Sequence, residues 1–347
     1  MSFSRAKPSF PQIMILLLAI APTACSHFGS LRGHAYESNE IRSGSLHFQV
    51  RTSSSADPVK YYIRETESEA PLVLYIQGSG CSPVFVEGLP GDFASTVFSF
   101  TAMARRSDVS LMIVEKPFTP RNVPKNSGTM LGCPDNFNRN FDADTWLATL
   151  QLAIEDARRL PWVSKDRMLV VGFSEGAHMA SALAAADPRI TDVALIGATG
   201  TNQVFDMIAA AYNKSGNGHL NSRLAVVDEF LRTLATEPDA TDKMLRGHTH
   251  RRWSSFFRLR TNENLLSSDA NVLLYLGTND ESVPSISSEI IFADLSVSPG
   301  RCVTLSRFFG AGHSLQKPDE DLSVVEGRLL SIASWFLASG DEKCSQR

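Results

Sequence analysis

The segment MLVVGFSEGAHMASALAAA, at residues 168–186, restricts the fold of this chain more than any other stretch of the sequence. An apolar run typical of a buried strand stops at Gly172, and an alanine-rich run typical of a helix follows Gly176. Only a tight turn joins a strand to a helix over so few residues, and the two glycines let the elements approach without Cβ clashes. Such a turn lifts the hydroxyl of Ser174 off the sheet edge, at the positive end of the helix. We therefore predict a nucleophile elbow centred on Ser174.

Strand-like and helical segments alternate along most of the chain. The predicted strands are residues 45–52, 59–65, 72–77, 111–115, 168–172, 193–197, 272–276 and 303–305. In the first two, apolar and polar residues alternate, as they do in edge strands. Most of the others are continuous apolar runs, which suit parallel strands buried on both faces. Residues 92–105, 142–160 and 322–337 have the apolar spacing of helices. This pattern predicts an α/β fold, with a mostly parallel central sheet and helices on both faces.

Residues 201–269 interrupt the alternation with helical patterns and no convincing strand. An insertion of this length, far longer than an ordinary crossover, is usually functional. We predict that it forms a helical lid above Ser174, and that Phe205 and Trp253 line an apolar substrate pocket. The alternative is that these aromatic residues only pack the insertion onto the sheet.

A serine hydroxyl becomes a nucleophile when a base takes its proton and a carboxylate orients that base. Asp280 follows the predicted strand at 272–276, with Glu281 as its rival, and His313 follows the strand at 303–305. The order serine, acid, histidine is the one that a nucleophile elbow requires. We therefore predict a catalytic triad of Ser174, Asp280 and His313.

The predicted oxyanion hole uses main-chain N–H groups. One belongs to Glu175, the residue after the nucleophile, and the other to Ser79 in the loop QGSG, with Gly80 as the alternative. No cofactor and no metal are predicted. His248 and His250 have metal-compatible spacing without a third ligand, so we interpret them as part of a solvated basic face.

The motifs QGSG, GFSEG, GTND and GAGH, in that order, resemble those of the α/β-hydrolase superfamily. GFSEGA together with GTNDESVP is most similar to its prolyl oligopeptidase and dienelactone hydrolase-like branch, and the likeness covers roughly residues 45–337. Gln77 stands where related enzymes have a histidine. The resemblance implies hydrolysis of an ester, thioester or amide through an acyl-enzyme, without a cofactor.

Three functional hypotheses follow. The first is an exported serine hydrolase that cleaves carboxylic esters or thioesters. The second is a small serine peptidase or aminopeptidase, in which Glu175 or an acidic pair in the insertion would hold a substrate amine. The third is a non-catalytic surface lipoprotein that keeps the fold as a scaffold. The expected partner is a small ester or short peptide, and a formal charge of -4 gives no indication of nucleic acid binding.

The N-terminal residues predict export. Arg5 and Lys7 precede an apolar run at residues 13–21, and small residues lead to Cys25. This is the pattern of a secretory signal, here residues 1–24, and a buried N-terminal helix is the alternative. The segment APTAC resembles the lipobox of bacterial lipoproteins, with Pro22 where leucine is usual. Two outcomes stay open at this site. Cys25 is lipidated, which would anchor the protein to a membrane, or the chain is cleaved after Ala24 without a lipid.

Residues 25–44 are then a linker, and residues 45–340 are the hydrolase domain. Export to the periplasm or cell envelope favours disulfides among the other four cysteines. We predict the pairs Cys81–Cys133 and Cys302–Cys344, and four free thiols are the alternative.

Overall fold

The computed structural model describes residues 39–53, 58–87, 93–124, 128–213, 219–338 and 343 of the 347-residue chain. The predicted secretory signal, Cys25 and Cys344 lie outside the described residues. No helix in the described ranges is both long and apolar enough to cross a membrane.

The described part of the chain contains thirteen strands, nine of which form one sheet. All eight strands predicted from the sequence are present in the structure. The bounds are β1 (Asn39–Ser43), β2 (Leu46–Thr52), β3 (Lys60–Ile63), β4 (Ala70–Ile76), β5 (Phe85–Glu87), β6 (Phe93–Ser95), β7 (Ser110–Val114), β8 (Val163–Phe173), β9 (Asp192–Ile196), β10 (Met244–Leu245), β11 (His248–Thr249), β12 (Asn271–Gly277) and β13 (Val303–Phe308).

The strand order of the nine-stranded sheet is β1-β2-β3-β7-β4-β8-β9-β12-β13. The sheet is parallel from β7 to β13. It is antiparallel at its N-terminal edge, where β1, β2 and β3 pair in turn and β3 joins β7. The parallel strands are apolar on both faces because helices cover both sides, as the continuous apolar runs predicted. The hairpins β5–β6 and β10–β11 lie outside this sheet.

The helices of the described residues are α1 (Phe98–Met103), α2 (Asp135–Asn140), α3 (Ala143–Ala157), α4 (Glu175–Ala186), α5 (Gln203–Asn213), α6 (Leu220–Thr236), α7 (His250–Phe257), α8 (Thr261–Ser267), α9 (Ser285–Ser296) and α10 (Leu322–Leu337). Asp142 caps α3 by accepting a hydrogen bond from the N–H of Thr145 at 2.8 Å. One buried cluster includes residues of α3, α4, α8 and α9, and a second includes residues of α1 and α10. The predicted α/β fold, with helices on both faces of a mostly parallel sheet, is therefore confirmed.

The insertion at residues 201–269 is mainly helical, but two findings refine the prediction. A short hairpin, β10–β11, lies within it, where no strand is evident from the sequence. The helix α8 packs against α4 and α9 and thus belongs to the main helical layer. Phe230, Leu234 and Trp253 form a small apolar cluster of their own between α6 and α7.

A disulfide joins Cys81 to Cys133, with the two Cα atoms 6.0 Å apart. It links the loop after β4 to the segment before α2, as predicted. Cys302 is also disulfide-bonded. Because Cys344 lies outside the described residues, its pairing with Cys302 stays a prediction.

Candidate active site

Ser174 occupies the tight turn between β8 and α4 that the sequence predicts. Its backbone has φ 54° and ψ -117°, a strained conformation for a residue that is not glycine. A Cβ on Gly172 would lie 2.4 Å from the carbonyl oxygen of Gly176, and one on Gly176 would lie 2.2 Å from that of Ile76. Only glycine fits at either position, so the turn depends on both flanking residues.

Asp280 and His313 are hydrogen-bonded, with His313 Nδ1 2.6 Å from Asp280 Oδ2. The other carboxylate oxygen of Asp280 accepts the N–H groups of Ser282 at 2.8 Å and Val283 at 2.9 Å. These bonds orient the carboxylate, and an ionised Asp280 makes Nδ1 the protonated nitrogen of the ring. The Nε2 atom is then the basic nitrogen of His313.

Gly197 is a site residue that our sequence analysis missed. It follows β9 with φ 57°, and a Cβ there would lie 2.9 Å from His313 Cε1 and 3.4 Å from Asp280 Oδ2. Any side chain at this position would displace the acid–histidine pair. The sequence signal that could have identified it is a glycine directly after an apolar strand, VALIG.

Ser174 and His313 line the same cavity, whose volume is about 570 Å³. Its apolar walls come from the segment that begins α1, from the ends of β8 and β9, from the loop after β13 and from the first half of α10. The apolar lining residues are Val97, Phe98, Phe173, Ile196, Leu315, Val325 and Leu329. The cavity therefore opens between the elbow and α10.

Phe205 and Trp253, the predicted pocket residues, are not among the residues that line this cavity. Trp253 is buried within the insertion, where its Nε1 donates to the carbonyl oxygen of Leu245 at 2.7 Å and its ring meets Phe230 edge-on. Phe205 lies half-buried on α5. Phe230, Trp253 and Phe257 pack within the insertion. Phe256 instead joins the main buried cluster, as expected from the alternative that the aromatic residues pack the insertion onto the sheet.

The loop at residues 78–80 lies directly beside the nucleophile. A Cβ on Gly78 would be 3.4 Å from Ser174 Cβ, and the Ser79 hydroxyl donates to the carbonyl oxygen of Gly128 at 2.9 Å. Gln77, Gly78, Ser79 and Gly80 all line the cavity. The predicted main-chain donors, Ser79 and Glu175, thus belong to the two segments that flank Ser174. Gln77 is buried and its side-chain amide has no hydrogen-bond partner in the described part of the chain.

The side chain of Glu175 is buried between two cations that the sequence analysis did not identify. Its Oε1 lies 2.8 Å from Lys116 Nζ, and its Oε2 lies 3.0 Å from Arg252 Nε. Burial alone would raise the pKa of this carboxyl, but the charges and hydrogen bonds of Lys116 and Arg252 outweigh it and lower the pKa to about 2. The prediction that Glu175 could hold a substrate amine is therefore wrong, because both oxygens are already engaged.

The interpretation of His248 and His250 as a solvated basic face is also wrong. Both are buried; His250 Nδ1 is 3.0 Å from the carbonyl oxygen of Glu237, and the His248 ring packs edge-on against Trp253. Within the described ranges, no three histidine, cysteine or acidic side chains are placed to hold a metal ion.

The elbow, the acid–histidine pair and the mostly parallel sheet together define an α/β-hydrolase of the serine type. Sequence comparison identifies the family: a family model described as "Prolyl oligopeptidase family" matches residues 147–338, and the chain belongs to this family. No curated protein matches the sequence.

Two solved structures with the same fold are Est1E and an acylaminoacyl peptidase. Est1E from Butyrivibrio proteoclasticus superposes with a TM-score of 0.52 at 12% identity, over 84% of this chain and 99% of Est1E. Uncomplexed Pyrococcus horikoshii acylaminoacyl peptidase superposes with a TM-score of 0.56 at 13% identity, over 88% of this chain and 44% of the peptidase. These similarities show the fold.

Proposed function

We propose that this protein hydrolyses uncharged carboxylic esters or thioesters through an acyl-enzyme on Ser174. The observation that carries the proposal is the cavity that Ser174 shares with His313. Among the described residues that line it there is no aspartate, glutamate, lysine or arginine. A site that combines apolar walls with hydroxyl, amide and imidazole groups but no carboxylate, ammonium or guanidinium group suits an uncharged substrate better than a charged one.

The proposed reaction has two halves. As Ser174 Oγ attacks the ester carbonyl carbon, His313 Nε2 takes the hydroxyl proton, and Asp280 stabilises the imidazolium that forms. The N–H groups of Ser79 and Glu175 donate to the oxyanion. His313 returns the proton to the departing alcohol or thiol. Water, deprotonated by His313, then attacks the acyl-enzyme, and the carboxylic acid leaves as Ser174 regains its proton.

Peptide hydrolysis is the second candidate, because family membership favours it. An aminopeptidase requires an anionic group for the substrate ammonium. Glu175 is occupied by Lys116 and Arg252, and no carboxylate is present among the described cavity residues. The peptidase alternative is therefore restricted to substrates with a neutral N-terminal group. The third hypothesis, a non-catalytic scaffold, conflicts with a chain that retains Ser174 and a bonded Asp280–His313 pair.

A substrate panel distinguishes these alternatives. The purified protein should hydrolyse nitrophenyl acetate, butyrate and octanoate with kcat/KM at least about tenfold above that for acetyl-aminoacyl nitroanilides, and free aminoacyl nitroanilides should be the poorest substrates. The reason is that the site offers no partner for an ammonium group. Faster cleavage of free aminoacyl nitroanilides than of esters would contradict the ester assignment. Inactivity on every substrate would favour the scaffold.

We also propose that the protein is exported and functions in the periplasm or cell envelope. The Cys81–Cys133 disulfide supports this, since disulfides persist in oxidising compartments. Mass spectrometry of the mature protein should find Cys25 as the first residue, with or without acyl chains, whereas a retained Met1 would contradict export.

A further inference from the structure

We propose that Lys116 is a positioning residue that fixes the oxyanion hole, by joining the loop at residues 78–80 to Glu175 through one buried ammonium group. The inference rests on the proposed function, because it assigns a role in the same reaction. It concerns a residue that follows β7 and does not line the cavity.

All three hydrogens of the Lys116 ammonium have an acceptor. The Nζ atom lies 2.7 Å from the carbonyl oxygen of Gly78, 3.1 Å from that of Gly80 and 2.8 Å from Glu175 Oε1. An ammonium group has three donors, so the site satisfies the group completely. Lys116 thus contacts both segments that supply the proposed oxyanion donors.

The carbonyl of Gly78 and the N–H of Ser79 belong to the same peptide group. No cis peptide bond is present in the described residues, so these two groups point in opposite directions. When Lys116 binds the Gly78 oxygen, it directs the Ser79 N–H away from itself. Ser79 lines the cavity and Lys116 does not. The bond to the Gly80 oxygen holds the peptide group between Gly80 and Cys81. The two bonds from Lys116 together set the orientation of the loop.

On the other side of the site, Lys116 and Arg252 hold the Glu175 carboxylate. Lys116 and Glu175 have side-chain exposures of 0% and 2%. Burial of such charges is unfavourable unless each is paired and hydrogen-bonded, and a buried network that is fully satisfied is rigid. Because Glu175 begins α4 and Lys116 is the member of this network that also bonds the loop, Lys116 fixes the first peptide after Ser174 relative to the loop. The geometry of the hole is thereby set before substrate binds.

Arg252 provides a matched control. It contributes the second cation to the same carboxylate and is equally buried, with a side-chain exposure of 2%. Its side chain bonds Glu175 and Gln203 but, in the described part of the chain, no atom of the loop at 78–80. Lys116→Met and Arg252→Met therefore remove the same charge from Glu175, and only the first releases the loop.

We expect Lys116→Met to lower kcat about 30- to 100-fold on nitrophenyl butyrate, with KM changed less than about threefold, because a displaced donor weakens transition-state binding. Affinity for butylboronic acid, which forms a tetrahedral adduct with an active serine, should fall by a similar factor. Arg252→Met should retain kcat and boronate affinity within about threefold, although both variants lower the melting temperature.

Equal kcat losses in the two variants, or an unchanged boronate affinity in Lys116→Met, would overturn the proposal. If Lys116→Met does not fold, Lys116→Gln replaces it, since a neutral amide still donates to one carbonyl. It should have an intermediate kcat, and wild-type kcat in this variant would also overturn the role of Lys116. A different experiment shows whether the proposed function itself is wrong. In that case Ser174→Ala would retain the activity of the wild type.

Discussion

Asp206 is a buried carboxyl that ties the insertion to the rest of the protein. Asp206 lies on α5, and its carboxyl oxygens accept hydrogen bonds from two hydroxyl groups. The donors are Thr199 at 2.5 Å and Ser287, on α9, at 2.5 Å. Burial raises its pKa to about 6 against the lowering effect of these two hydroxyls, and the charge of Asp280 adds to the increase. Between pH 4 and pH 6 the folded protein therefore holds a proton that the unfolded chain releases. The free energy of unfolding falls as the pH rises through this window.

Asp206→Asn should remove this pH dependence, because an amide does not titrate. From pH 4 to pH 8 the wild type should lose about 2 kcal/mol of unfolding free energy relative to the variant, as follows from the difference between the folded and unfolded pKa values. Urea denaturation at the two pH values measures the change. Asp228→Asn, an exposed carboxyl on α6, is the control and should behave as the wild type does. Parallel pH profiles for Asp206→Asn and the wild type would contradict the account.

At the scale of residues, the sequence predicts what is local. Ser174, Asp280 and His313 each follow a recognisable strand, so their places could be predicted. Lys116 and Arg252 are 59 and 77 positions from Glu175 and carry no local pattern. Their contacts depend on where β7 and α7 pack, which residue types alone do not determine.

At the scale of elements, the walls of the cavity come from α1 and α10 and not from the insertion. Phe98 begins α1, is half-exposed and lines the cavity with Val325 and Leu329 of α10. Trp253 is buried in the cluster of α6 and α7. From the aromatic residues of the insertion we predicted a pocket beneath a lid. Composition alone does not show which part of the protein a given helix face packs against. We therefore expect α1 and α10 to determine acyl-chain preference, whereas Trp253 serves the packing of the insertion.

Phe98→Ala should lower the ratio of kcat/KM for nitrophenyl octanoate to that for the acetate by about tenfold, since lost apolar contact affects only the longer chain. Trp253→Ala should leave this ratio within about twofold and reduce the free energy of unfolding by about 3–5 kcal/mol, as removal of a buried aromatic does. Ester kinetics and chemical denaturation of both variants provide the measurements. A shift in chain-length preference in Trp253→Ala alone would restore the predicted lid pocket.

At the scale of the whole molecule, the candidate site follows the order of the sheet. The site residues come shortly after six strands that are consecutive neighbours in the sheet, β7, β4, β8, β9, β12 and β13. In that strand order they are Lys116, the loop at 78–80, Ser174, Gly197, Asp280 and His313. Parallel strands present their carboxyl ends at one edge, so residues distant in sequence meet there. The parallel sheet could be predicted from continuous apolar runs. Its strand order could not, because it depends on which side of the sheet each crossover takes.

The central claim is that Ser174 is the nucleophile activated by His313, and covalent labelling tests it most directly. A fluorophosphonate should add one label to the folded protein, and peptide mapping by mass spectrometry should place it on Ser174. His313→Ala should react at least about 100-fold more slowly, because the hydroxyl loses its base. A label on another serine, or an unlabelled protein that still hydrolyses esters, would contradict the account.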